Sequence, residues 1–164
     1  GNIQRGQVLF ENLKFIKLTK DELEKYALDE GDILFNRTNS FELVGKTGVF
    51  YDCGKPVVCA SYLIRIKVDQ ERVLPEFVAA MINSRLGRSH IEAVANRAIG
   101  QVNVNAKKIG ALKFPLPDLD TQRSFTAKLD KVRETRAEAE AQVGQIDFSA
   151  LRNAILRQAF AGEL

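Results

Sequence analysis

Gln101, Asn103 and Asn105 alternate with Val102 and Val104. In an extended backbone successive side chains point to opposite faces, so this spacing sets three amides on one side. Each amide carries a carbonyl acceptor and two N–H donors, and together they form a hydrogen-bonding row. Asn105 has a second reading, as the cap of a short helix from Ala106 to Leu112, because asparagine is a preferred N-cap. The surrounding chain is basic. From Asn83 to Phe114, Arg85, Arg88, Arg97, Lys107, Lys108 and Lys113 stand against Glu92 alone, six minus one giving +5, in a chain whose whole net charge is +3. Such an excess is either a solvated basic face or a surface for phosphates, and charge alone leaves both readings open.

Bond-making chemistry has little to work with. A PD-(D/E)xK nuclease holds its metal through an acidic residue two positions before a lysine, and every lysine here lacks one. The chain has no Pro-Pro pair of the kind found in amino-methyltransferases. Val44-Gly45-Lys46-Thr47-Gly48 contains GKT, but Ser40 stands where a phosphate-cradling loop requires glycine. The single histidine, His90, reads as a helix-surface or packed residue, and no GxSxG is present for nucleophilic catalysis. With His90, the two cysteines, Cys53 and Cys59, fall short of a four-ligand zinc site. They read as reduced, partly buried thiols. No metal and no catalytic residue is expected.

The elements that must position the polar residues follow from patterning. The composition, 45% hydrophobic and 27% charged with four Pro, is that of a folded chain, and 164 residues suffice for one well-buried body plus an appendage. The longest apolar stretch, Val57 to Ile66, is interrupted by Ser61 and Arg65 and is far shorter than the roughly 18 residues of a membrane span. No signal peptide opens the chain, so the cytoplasm is the expected location. Its start at Gly rather than Met leads to the expectation that it is cut from a longer protein. Gly31–Phe35 and Val44–Tyr51 read as strands flanking the polar Asn36–Ser40 loop, and the alternation from Ser61 to Val68 predicts a third. Pro75 fits the first turn of a helix carrying Phe77, Val78, Met81 and Ile82, and a second helix is predicted from Leu86 to Ala95. After Pro115 and Pro117 the sequence turns uniformly helical to Val143. There Phe125, Leu129, Val132, Arg136, Ala139 and Val143 repeat at heptad spacing, with Arg136 the one polar member. A second amphipathic helix follows Gly144, with Leu151, Ile155, Leu156, Ala159 and Phe160 on one side. The predicted architecture is α+β: a β-rich mixed globular domain over 1–117, then a helical hairpin or coiled-coil region over 118–164.

Four fragments, in order, resemble the specificity subunits of type I restriction-modification systems: GDILFNRTNSFELVGKTGVF, LPEFVAAMINS, GQVNVNAKKIGALKFPLP and the ending LRNAILRQAFAGEL. One local departure is Thr121 before Gln122, where that family often has an acidic residue. The resemblance implies a target recognition domain that reads duplex DNA, followed by helices that set spacing between two such halves. It also implies helices that dock the methyltransferase (modification) subunit, and through it the restriction subunit. S-adenosylmethionine would then belong to the partner, with no cofactor in this chain, and a lone half would complete its seam as a homodimer. For DNA reading, arginine suits guanine, amides suit adenine, and hydroxyls and cations suit phosphates. The implied contacts are Arg37, Thr38, Asn39 and Ser40 in the first polar loop, Arg97, Gln101 and Asn103 in the second, and Lys46, Lys107 and Lys108 on phosphates. Phe125, Leu129, Val132, Ala139, Val143, Leu151, Ile155 and Leu156 would form the helical interface. Two alternatives remain open at this stage: Asn36–Ser40 as a mere turn, and the whole chain as a coiled-coil interaction module without sequence-specific DNA binding.

Overall fold

The computed structural model describes residues 2–11, 13–40, 42–98 and 101–144. The chain divides into two compact units, Gly1–Thr126 and Ala127–Leu164.

The first unit is built on a five-stranded sheet in the order β1-β2-β5-β3-β6, formed by β1 (Ile3–Gln4), β2 (Gln7–Val8), β3 (Ile33–Asn36), β5 (Thr47–Val49) and β6 (Leu63–Ile66). The central strand β3 pairs antiparallel with β5 on one side and with β6 on the other. Its side chains divide by the period of two. Ile33 and Phe35 enter the main core with Val78, Ala79, Ile82 and Ile91, whereas Leu34 joins Ile3, Leu28 and Phe50 on the opposite face. A strand buried on both faces must be a continuous apolar run, which is why this one reads Ile-Leu-Phe. β6 alternates as the sequence predicts. Ile64 and Ile66 pack on the main core, Leu63 packs on the smaller cluster, and Arg65 reaches the Ala27 carbonyl and the carboxylates of Asp29 and Asp32.

The predicted strand over 44–51 is shorter than expected. Only Thr47–Val49 pair as β5, because Gly45 turns the backbone at φ +80° and brings it under Ile91 and Arg88. A Cβ at Gly45 would lie 2.8 Å from Arg88 Nη1 and 3.2 Å from Ile91 Cδ1. A short helix α1 (Lys20–Tyr26) precedes the sheet's centre, started by a reciprocal Thr19–Glu22 capping box.

α2 (Pro75–Asn83) begins on proline as predicted, and α3 (Arg85–Val94) follows at once. The sharp join uses Ser84, whose hydroxyl accepts from the Gly87 N–H at 3.2 Å and donates to the Met81 carbonyl at 2.7 Å. Any Cβ at position 87 would collide with the carbonyls of Met81 and Ile82. Asn83, the last residue of α2, pairs with a backbone position of β5: its Oδ1 accepts from Thr47 N–H (3.1 Å) and its Nδ2 donates to Thr47 O (2.7 Å).

α5 (Leu119–Gly144) starts in the first unit. The Asp118 carboxylate accepts from the Thr121 N–H at 2.8 Å, and this bond holds its pKa below the usual carboxylate range. Gln122 is completely buried. Its Oε1 accepts from Leu74 N–H (2.8 Å), and its Nε2 donates to the carbonyls of Pro117 (2.8 Å) and Arg72 (3.1 Å). Leu74 is the N-cap of α2, and Gln122 satisfies its backbone N–H from another element. Phe125 lies edge-on to Phe77, ring centroids 5.6 Å apart. It therefore contributes to the packing of the first unit.

In the second unit the described part of α5 carries Leu129 half-buried, Val132 63% exposed, Ala139 exposed and Val143 51% exposed. Arg136, the polar member of the heptad, is ion-paired with Glu140 at 2.8 Å, one turn on. Leu151, Ile155, Leu156, Ala159 and Phe160 lie outside the described residues. The fold class is mixed α+β with a helix following the sheet domain. Both cysteines are free and partly buried, and burial pushes the Cys59 thiol pKa up. Among the described residues no helix is long and apolar enough to cross a membrane.

Candidate nucleic-acid interface

The chain leaves β3 at Asn36 and passes through Arg37 into a second sheet. Arg37 is the joint between the two: its N–H donates to the Tyr62 carbonyl (3.0 Å), just before β6, and its carbonyl accepts from the Val104 N–H (2.9 Å). Beyond it lies a three-stranded antiparallel sheet in the order β4-β8-β7, made of β4 (Thr38–Asn39), β8 (Gln101–Asn103) and β7 (Asn96–Ala98). The register sets Thr38 opposite Asn103 and Asn39 opposite Val102. On the other side it sets Asn96, Arg97 and Ala98 opposite Asn103, Val102 and Gln101.

Two polar segments more than sixty residues apart thus meet on one sheet, with Thr38, Asn39, Arg97, Gln101 and Asn103 on adjacent strands. The alternation in 101–105 is what seats it. Val102 and Val104 are buried in the main core, while the intervening Asn103 donates from Nδ2 to Thr38 Oγ1 at 2.9 Å. Apolar anchors on one side of β8 hold its polar residue in register on the other. Asn105 leaves the row of amides to cap α4 (Ala106–Gly110), its Oδ1 accepting from Lys108 N–H at 3.0 Å. Of the two readings the sequence allowed for Asn105, the cap is the one realised.

The remaining predicted contacts fall around this sheet in different ways. Ser40, exposed, follows β4 directly, and its carbonyl accepts from the amides of Leu43 and Val44. Lys46 is exposed at the turn before β5 and is tied there through its carbonyl, which accepts from Asn36 N–H at 2.9 Å. Lys107 is exposed on α4. Lys108 is not brought to the surface in the same way, since its ammonium donates to the Val94 carbonyl in the last turn of α3. A lysine in that position complements the negative end of a helix. Arg88 is likewise turned inward: Nη1 donates to the Val44 carbonyl, and Nη2 lies 3.9 Å from Glu92. The basic run therefore splits. Arg85, Lys107 and Lys113 are exposed, whereas Arg88 and Lys108 donate to backbone carbonyls. Asn83, Arg88 and Gln122 were not singled out from the sequence as functional residues; each acts through contacts with residues distant in sequence.

The sequence profile of the type I restriction modification DNA specificity domain matches residues 2–145. The chain belongs to that family. Two specificity-subunit relatives align over almost its whole length and a third over two thirds of it. It is 29% identical over 162 residues to the type I restriction enzyme StySPI specificity subunit of Salmonella potsdam, covering 97% of this chain and 35% of that subunit. To the EcoKI specificity subunit of Escherichia coli K12 it is 26% identical over 167 residues, 99% of this chain and 36% of the relative. A putative MjaX specificity subunit of Methanocaldococcus jannaschii is 28% identical over 110 residues, 66% of this chain and 25% of the relative. The chain spans about a third of the length of the two subunits it matches end to end. Parts of two of the fragments that carried the resemblance have structural roles, GDILF in the central strand, VGK in the turn under Arg88 and INS in the clamp on Thr47, while the ending over 151–164 lies outside the described residues.

Proposed function

We propose that this chain is one DNA-reading half of a type I specificity subunit, binding duplex DNA sequence-specifically and leaving methylation and cleavage to partner subunits. The observation that carries the reading is the meeting of two distant polar segments on the β4-β8-β7 sheet, in a chain of the DNA specificity domain family. Asparagine recognises adenine by donating an N–H to N7 and accepting from N6–H, and therefore needs one N–H and one oxygen. Asn103 gives one N–H to Thr38, which orients the amide and leaves its second N–H and Oδ1 for that pairing. Arg37 and Arg97 are the candidates for guanine, with Asn39, Ser40 and Gln101 completing the base-reading set. Lys46 and Lys107 contact phosphates. Lys108, engaged with the Val94 carbonyl, ties α4 to the end of α3.

The helix α5 and the residues after it form the spacer between two such halves, as a helical hairpin or coiled coil. The apolar exposure of Val132 and Val143 supports a docking role for this helix. Its partners are a methyltransferase subunit, which brings S-adenosylmethionine, and through it a restriction subunit. A second copy of this chain completes the seam as a homodimer when the half stands alone, and the setting is the cytoplasm.

Selection of bound duplexes from a random pool at two salt concentrations tests the reading. Enrichment of a short motif, or of its inverted repeat at fixed spacing, is the expected outcome. No enriched motif, alone and again with a modification subunit present, would replace it with the coiled-coil interaction module.

A further inference from the structure

We infer that Arg88 is a positioning residue for base reading, setting the segment between β4 and β5 by donating to the Val44 carbonyl, and that it contacts no phosphate itself. This rests on the DNA-reading proposal above. By residue type and place in the basic run, Arg88 looks like a phosphate ligand. Its guanidinium is instead turned into the protein, with one nitrogen on the Val44 carbonyl and another 3.9 Å from Glu92. Val44 is buried, and Gly45 beside it holds φ +80° with room for no side chain between the backbone and Arg88. The segment Arg88 grips has Thr38 and Asn39 at one end and Lys46 at the other. Main-chain bonds also tie it, Val44 N–H to Ser40 O (3.0 Å), Gly45 N–H to Asn36 O (2.8 Å) and Lys46 N–H to Leu43 O (3.3 Å), and the Thr47 hydroxyl donates to the Gly45 carbonyl at 3.0 Å. A charged donor on a buried carbonyl is the strongest kind of hydrogen bond available to such a segment. The same helix is held at its C-terminal end, since Lys108 donates to the carbonyl of Val94, two residues before β7. α3 thereby serves as the frame that registers the strands of the reading sheet against each other.

The test uses the full chain with Arg88→Met, which keeps the apolar stem, and Arg88→Lys, which retains a donor. Three quantities are read: the ratio of affinities for the selected duplex and a scrambled one, the salt slope on scrambled DNA, and amide hydrogen exchange. Positioning predicts that Arg88→Met lowers the ratio about tenfold or more, that Arg88→Lys recovers part of it, and that the salt slope is unchanged. Exchange at Val44, Gly45 and Lys46 quickens while Ile33–Phe35 stay protected. A salt slope reduced by roughly 0.9 with an unchanged motif would make Arg88 a phosphate ligand and overturn the inference. So would an unaltered ratio in a folded Arg88→Met chain. If the unsubstituted chain selects no motif, the DNA-reading proposal itself fails, which the exchange data separate from failure of the Arg88 contact.

Discussion

Replacing Gln122 is the sharpest test of how the first unit is held together. The side chain is 0% exposed and makes three hydrogen bonds, one to the Leu74 amide and two to the carbonyls of Pro117 and Arg72. Gln122→Leu keeps most of the volume and removes all three. A net hydrogen bond contributes about 0.5–1.5 kcal/mol, and a buried group left without a partner costs about 1–3 kcal/mol. Since Leu74 and the two carbonyls are only part-buried around this site, water recovers some of the loss, and we expect about 3 kcal/mol of destabilisation. For a unit of this size that corresponds to a fall in Tm of roughly 10 °C. Gln122→Glu adds a pH signature. Its carboxylate would face the Pro117 and Arg72 carbonyls in a buried site, so the protonated form is favoured in the folded state and the folded pKa is raised. A group of that kind loses stability as pH rises above its unfolded value, about 4.3. Urea unfolding followed by far-UV circular dichroism at pH 4 and pH 7 measures both effects. A loss below about 1 kcal/mol in Gln122→Leu, or a Gln122→Glu variant equally stable at the two pH values, would refute the reasoning.

Asn83→Leu should cost about 2 kcal/mol by removing both hydrogen bonds to Thr47 in the middle of the fold, read in the same urea titration. Lys46→Ala and Lys107→Ala should each reduce the logarithmic salt slope of DNA binding by about 0.9 without changing the preferred motif, measured by fluorescence anisotropy across a salt series. Asp29, whose pKa is lowered first by its hydrogen bond from Lys67, contributes stability above its unfolded value that is lost as pH falls through the lowered folded value. Asp29→Asn should therefore remove a small, screened contribution at neutral pH and flatten the acid end of the profile, so that the two chains converge below about pH 4 in urea titrations across pH.

The parts of the fold written in local periodicity were legible in the sequence. β3 follows from the apolar run after the Gly31-Asp32 turn, β6 from alternation, α2 from Pro75 and its apolar spacing, and α5 from a long run free of Gly and Pro. The reading segments were legible as polar and suited to hydrogen bonding, but their pairing was not, because nothing local in Thr38 or Asn103 announces a partner 65 residues away. Residue type also concealed how the cations are used. Arg88, Lys107 and Lys108 look alike in a basic run, and only the carbonyls of Val44 and Val94 separate two of them from the third. Phe125 fits the heptad by spacing, yet its ring packs on Phe77. The capping box at Thr19 and Glu22 was a local signal that would have revealed α1.

If the β4-β8-β7 sheet reads bases, Asn103, seated at its centre and oriented by Thr38, is the residue whose loss should show it. Binding of the unsubstituted chain and of Asn103→Ala would be measured against the selected duplex and every single-base variant of it. Asn103→Ala should lose discrimination at one adenine, by about tenfold or more, while preferences elsewhere in the site and the salt slope persist. An Asn103→Ala chain that retains the full preference profile would contradict base reading by this sheet.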